Sequence, residues 1–160
     1  MLKPYSSDHR EAILALNHQS VAVLSPMDAE RFEHLKSMAS VLEVAEDNGD
    51  VAGFLMAFRD GTDYDSINYR WFSENYSGFL YIDRVVVSGL HRGKGIASTF
   101  YDHAIDWGRR QGLTSLVAEI DIEPPNEPSL KFHKRYGFTE VDRLVHSPEK
   151  IVSLQHLPLS

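Results

Sequence analysis

The stretch Gly78–Val87, GFLYIDRVVV, is apolar along almost its whole length. Alternation would mark a half-exposed strand. A continuous run marks a central strand covered on both faces. It leads through the turn SGLHRGKG into residues 93–111, where Ile96, Phe100 and Ala104 recur every four residues, as do Ala97, Tyr101 and Ile105. That spacing predicts a helix with one apolar stripe. LTSLVAEIDI then predicts another strand. Strand–helix–strand units of this kind imply a partly parallel sheet with helices packed on its faces.

The rest of the chain fits around that unit. Residues 8–20 place Ile13, Leu14, Leu16 and the adjacent Val21 at roughly helical spacing, with Asp8 as the N-cap. A second helix carries Phe32, Leu35 and Met38 on one side and starts at Ser25 or Asp28. VLEVAEDNGDVAGFLMAF predicts two strands joined by a tight turn at Asn48-Gly49. Residues 60–78, rich in aromatics and acids, read as a long loop, and loops of that length inside a domain are usually functional or mobile. A short helix opens at Asn126 and closes at Gly137. Two strands near 138–146 and 150–157 end the chain, and a short strand can precede the first helix. The fold class is therefore α/β (α+β), a mixed central sheet of six to seven strands in one domain over residues 1–160.

Composition narrows the chemistry. The 160 residues suffice for one real core. Cysteine is absent, which removes disulfides, zinc-thiolate sites and any thiol nucleophile. The formal charge of −7 gives the surface as a whole no attraction for nucleic acid. No apolar run approaches the roughly 18 residues of a membrane span, so no membrane partner is expected. The opening MLKPYSSDHREAI has no signal-peptide core, and a cytoplasmic location is expected. The eight histidines show no metal-ligand spacing, so no metal is expected. His9, His18, His34, His91 and His156 read as surface residues.

The turn itself is a candidate anion site. The first N–H groups of a helix lack internal partners, and the helix dipole adds partial positive charge. Gly93 and Gly95 permit close approach, and Arg92 and Lys94 add full charges. Phosphate is the natural guest. A Walker loop fails because Lys94 stands where its second glycine should be, and a dinucleotide fingerprint fails at Ser98.

What remains is R-x-x-G-x-A over Arg92–Ala97, directly after a strand. This resembles the acyl-CoA-binding signature of the GCN5-related N-acetyltransferase (GNAT) superfamily. A second motif of that superfamily, an Asn followed by a short helix ending in Gly-Phe, matches Asn126 through Gly137-Phe138. EIDIEPPNEPSLKFHKRYGF, YDSINYRWF and FLYIDRVVV also resemble a little-characterised bacterial subgroup of acetyltransferases. The resemblance covers nearly the whole chain. It implies a GNAT fold whose sheet splays between the strands near 79–88 and 114–122. It implies that the amides of Arg92, Gly93, Lys94, Gly95, Ile96 and Ala97 hold the pyrophosphate of acetyl-CoA. Val85, Val86 and Val87 would pair with the pantetheine arm like an added strand, and Asn126 would hold that arm from the other side. A homodimer is common in the superfamily.

Acyl transfer from a thioester needs a nucleophile, a way to remove its proton, and stabilisation of the departing thiolate. Without cysteine, direct attack by an acceptor amine in a ternary complex is expected. Where many relatives carry a tyrosine acid, this chain has His133. Helical projection at about 100° per residue puts Ser129 and His133 on the inward arc, toward the CoA arm. His133 is therefore the candidate for stabilising the thiolate, with a satisfied core histidine as the alternative. Asp83, mid-strand, is the leading candidate base; an ion pair with Arg84 on an irregular strand is the structural alternative. Glu119 and Asp121 compete for the same role. Alternation puts Tyr81, Asp83 and Val85 on one face. For the acceptor, Asp63, Asp65, Glu74, Asp83 and Glu119 could surround a cation, with Tyr64, Tyr69, Trp71, Phe72 and Tyr81 around it. The acceptor is then an amine of a small molecule or peptide. The other reading is a non-catalytic acyl-CoA sensor or protein-interaction module on the same fold.

Overall fold

The computed structural model describes residues 1–20 and 26–159. In chain order the elements are β1 (Leu2–Pro4), α1 (Arg10–Gln19), α2 (Ala29–Met38), β2 (Val41–Asp47), β3 (Asp50–Arg59) and α3 (Ile67–Asn75). They continue with β4 (Phe79–Val87), α4 (Ile96–Arg110), β5 (Ser115–Glu123), α5 (Glu127–Tyr136), β6 (Thr139–Ser147) and β7 (Lys150–Pro158). The strands form one seven-stranded mixed sheet in the order β1-β2-β3-β4-β5-β7-β6. All neighbours are antiparallel except β4 and β5, the pair joined through α4.

Each face of the sheet carries its own core. On one side Ile13, Leu16, Phe32, Leu35 and Phe72 from α1, α2 and α3 pack on Phe54, Met56, Phe58 and Phe79. On the other, Phe100, Tyr101 and Ala104 of α4 pack on Leu55, Leu80, Ile82 and Leu116, joined by Phe138 after α5. Each such large apolar side chain, fully buried, contributes roughly 1.5–3 kcal/mol. Burial on both faces is why β3 and β4 read as continuous apolar runs.

Two local features position the site. The parallel pairing of β4 and β5 covers only Phe79–Tyr81 against Ser115–Val117. Beyond it the strands part, as the expected splay requires. The second feature is a bulge. Met56 of β3 faces Arg84 and Ala57 faces Ile82, so Asp83 is the extra residue of β4. A bulge breaks strict alternation and turns consecutive side chains the same way. The simple face assignment is therefore corrected: Tyr81 and Val86 lie in one core, while Val85 lies with Leu80 and Ile82 against the other.

The hairpin turn is as expected, with Asn48 at φ 53° and Gly49 at φ 83°. Other boundaries differ. Residues 60–78 are not one long loop, because α3 forms within them: Ser66 caps the Tyr69 amide, and Tyr69 and Phe72 anchor the buried side. The second helix starts from Asp28, whose carboxylate accepts from the Arg31 amide; Ser25 and Val21 lie outside the described residues. The first helix starts later than Asp8, after a short 3-10 turn in which Ser6 and His9 cap each other. His9 is buried, its Nε2 2.8 Å from the Glu46 carboxylate, rather than on the surface.

Candidate active site

The gap between β4 and β5 widens into a cavity of about 830 Å³. Ile82–Val87 form one wall and Ala118–Asp121 the other. Ala97 and Tyr101 of α4, and Asn126, Ser129 and His133 at α5, close one end. Arg31, Tyr64, Asn68, His146 and Lys150 ring the other. A second hollow of about 230 Å³ lies over the glycine turn and shares Val87, Arg92, Ala97 and Phe132 with the first.

At that turn Gly93 has φ 84° and Gly95, the N-cap of α4, φ 75°. Side chains rarely adopt such angles, which explains both glycines. A Cβ at either position would meet nothing within 4 Å, so the turn faces open space where a ligand's phosphates could approach. Ile96 and Ala97 follow as the first residues of α4. Arg92 is exposed at the rim. Lys94 is already engaged, its Nζ 2.7 Å from Asp47. Across the gap Asn126 caps α5 by accepting from the Ser129 amide. The stretch Val85–Val87 runs along the cavity beyond the last β4–β5 pair.

The charged end holds two linked clusters. Asp83 accepts from the Tyr64 hydroxyl at 2.6 Å and from Arg84 Nε at 2.8 Å. Arg84, only 4% exposed, also donates to Asn17 Oδ1 at 2.9 Å. The bulge makes this ion pair between sequence neighbours possible. Glu119 accepts from the Tyr81 hydroxyl at 2.6 Å and from Asn68. Asn68 Oδ1 in turn lies 2.9 Å from His146 Nε2. Burial, then the nearby Asp83 charge, push the Glu119 carboxyl up to about 7, against the hydrogen bonds that lower it. Burial likewise raises Asp121, which lies 4.0 Å from Lys150, and lowers His146.

The other end is neutral. His133 is 5% exposed, as the helical projection requires. Its Nδ1 lies 2.7 Å from the Ser129 carbonyl and 3.3 Å from the Ser129 hydroxyl. Its Nε2 lies 2.6 Å from the Tyr101 hydroxyl. A carbonyl only accepts, so Nδ1 carries the hydrogen and Nε2 accepts from Tyr101. Burial lowers the imidazole below its ordinary value, which keeps it neutral near pH 7.

The acceptor candidates divide. Tyr64 and Asp83 line the cavity. Tyr81 is buried behind it and reaches it through Glu119. Tyr69, 1% exposed, donates to the Arg59 carbonyl in the core. Trp71 packs on Phe72 and Tyr76. Asp65 pairs with Arg31 at 2.7 Å on the outside. None of those three lines the cavity. The Asp83–Arg84 ion pair is the structural alternative that the sequence offered for Asp83, whereas Asn68, Tyr101 and His146 are the residues that sequence reasoning missed. Their bonds join distant parts of the chain, although the long Tyr at the inward position 101 was a signal. Among the described residues no cluster of three or more His, Asp or Glu could hold a metal ion, and no helix is long and apolar enough to cross a membrane.

Comparison with known proteins identifies this architecture. Residues 10–138 match the family model described as Acetyltransferase (GNAT) family. The chain is 33% identical over 96 residues to phosphinothricin N-acetyltransferase of Streptomyces viridochromogenes, covering 60% of this chain and 45% of that protein. It is also 33% identical over 96 residues to L-methionine sulfoximine/L-methionine sulfone acetyltransferase of Salmonella typhimurium, covering 60% and 48%. The match thus spans about half the length of these relatives. The yncA protein of Salmonella typhimurium, solved with its cofactor acetyl-CoA, superposes with a TM-score of 0.75 at 21% identity, covering 100% of this chain and 94% of that one. The chain belongs to the acetyltransferase (GNAT) family.

Proposed function

We propose that this protein is an N-acetyltransferase that moves acetyl from acetyl-CoA to an amine of a small molecule or peptide by direct attack. The observation that carries this reading is the parting of β4 and β5 beyond Tyr81 and Val117, flanked by the open glycine turn and by Asn126. In this reading the amides of Arg92–Ala97 hold the diphosphate, and Val85–Val87 pair with the pantetheine arm. Asn126 and Ser129 line its other side. The acetyl group then lies between the two ends of the cavity.

Glu119 serves as the base. A carboxyl at about 7 is half ionised near neutral pH, and the ideal catalytic base sits near the operating pH. An α-amine with pKa near 8 lies within about 1 unit of it, whereas a lysine-type amine near 10.4 does not. Asp83, held by Tyr64 and Arg84, contributes its charge to Glu119 and faces the incoming ammonium. His133 belongs to the sulfur end, where the thiolate leaves. The relatives named for phosphinothricin and L-methionine sulfoximine favour small acceptors.

Calorimetry with CoA, followed by thiol release from acetyl-CoA across amino acids, peptides, polyamines and aminoglycosides, tests the reading. Binding with turnover on α-amino compounds is expected. Binding without turnover across the panel would make the chain a sensor, and no binding would end the coenzyme reading.

A further inference from the structure

We propose that Tyr101 is the catalytic residue that meets the leaving sulfur, with His133 behind it as the residue that orients and recharges its hydroxyl. The proposal rests on the acetyl-CoA reading and deepens it. Both nitrogens of His133 are committed, Nδ1 to the Ser129 carbonyl and Nε2 to Tyr101. The imidazole therefore presents no N–H of its own to the cavity. Tyr101 also lines the cavity, and its hydroxyl, held by His133 Nε2, is the group assigned to the sulfur. Its ring is fixed by edge contacts with Phe132 and Phe138 and by the tilted ring of Tyr136, so the hydroxyl has one place to point from.

The chemistry explains why the pair is needed. As the amine nitrogen bonds to the thioester carbon, the carbon–sulfur bond breaks and its electron pair stays on sulfur. The proton lost by the amine goes to Glu119. A CoA thiol resembles cysteine, with a pKa of about 8.5, so the sulfur takes a proton near pH 7. Tyr101 alone is a poor donor, because burial and then the Glu119 charge push its pKa far above the ordinary phenol value. His133, neutral at rest, resolves this by taking up a proton from solvent as negative charge builds on the sulfur. It keeps Nδ1–H on the Ser129 carbonyl and donates Nε2–H to the Tyr101 oxygen, which frees the phenolic hydrogen for sulfur. When that proton moves to sulfur, the Nε2 proton moves to the tyrosine. Tyr101 and His133 both end neutral, in the arrangement seen here, and the imidazole takes its next proton from water. The nascent thiolate favours the charged ring at the moment of need, since an opposite charge nearby stabilises it. The other ionisable groups near the pair are Tyr136, whose hydroxyl is held by Asp102 and the Ser98 carbonyl, and Glu119 on β5.

The test needs no acceptor. The thiol of bound CoA is titrated by its thiolate absorbance, using the desulfo-CoA complex as the blank. In the wild-type chain the bound thiol should ionise below its free value. Tyr101→Phe keeps the ring packing and should raise that pKa by about one to two units, the scale of one hydrogen bond to a charged atom. His133→Phe, which leaves the tyrosine in place but unsupported, should raise it by less. Identical titrations in wild type and Tyr101→Phe, with CoA still bound, would overturn the assignment while leaving the coenzyme reading intact. So would a full shift in His133→Phe with none in Tyr101→Phe, which would make the histidine the direct donor. Failure of the wild-type chain to bind CoA would overturn the coenzyme reading and this assignment with it.

Discussion

The two ends of the cavity are built from opposite materials. At one end two carboxylates, Asp83 and Glu119, are close enough that the first raises the pKa of the second. They are held by Tyr64, Arg84, Tyr81 and Asn68. At the other end Tyr101, His133 and Ser129 form a neutral chain of hydrogen bonds inside a nest of aromatic rings. The difference fits the two halves of the proposed reaction. An ammonium must be attracted and stripped of a proton, which calls for negative charge. A thiolate must leave, and a carboxylate beside it would oppose that departure, since like charges repel strongly where water is scarce. The two hang from different elements, the charged cluster from β4 and β5 and the neutral one from α4 and α5, although the Glu119 charge still reaches Tyr101.

The comparison can be broken most severely at Arg84. This guanidinium is almost fully buried between Asp83 and Asn17. Removing one partner of a buried ion pair costs about 3–5 kcal/mol, because the other charge is left uncompensated. Arg84→Met should lower the urea midpoint accordingly. The matching change at the neutral end, Ser129→Ala, removes a hydroxyl 3.3 Å from the imidazole and leaves the carbonyl bond intact. It should leave the midpoint nearly unmoved. Equal losses would show that the two clusters are not energetically different.

Glu119→Gln comes next. A positioned base contributes about a hundredfold or more to rate, so kcat should fall by that factor while CoA affinity, read by calorimetry, stays unchanged. The pH profile sharpens the point. A base acts when deprotonated, so kcat/KM should rise with pH through a limb near the Glu119 value of about 7. Asn68→Ala removes a bond that lowers this value, so the limb should move upward, by about one unit. A downward shift, or none, would separate Glu119 from the limb.

How much of this was visible in the amino-acid order follows from range. Features decided within a few residues were legible. The glycines at positive φ after β4, the Asn48-Gly49 turn, the Asn126 cap and the inward face of α5 all rest on backbone or helical geometry. The parting of β4 and β5 came from the family resemblance rather than from spacing. The bulge at Asp83 was legible only as the condition for an Asp83–Arg84 ion pair, because nothing local fixes where an extra residue falls, and it decides which way Val85 points. The α3 helix was hidden by its polar and aromatic composition, although Ser66 followed by Tyr69 and Phe72 carries a cap and an apolar spacing. The decisive side-chain pairs were out of reach: Tyr101 with His133, and Asn68 with His146, meet only after the sheet has assembled.

The smallest effect is expected where the sequence drew the eye first. Lys94 sits between the two glycines, and its charge invites a phosphate contact. Its ammonium is instead answered by Asp47, 2.7 Å away, and the side chain is more than half exposed. Exposed ion pairs of this kind contribute little and are screened by salt. The amides of the turn, by contrast, cannot be screened or removed without changing the backbone. Lys94→Ala should therefore raise the Kd for CoA by less than about threefold at physiological salt. Gly95→Ala, which forces a Cβ into a left-handed residue at φ 75°, should weaken binding more by distorting the cradle. A larger loss for the lysine than for the glycine would mean that side-chain charge, not main-chain amides, does the holding at this turn.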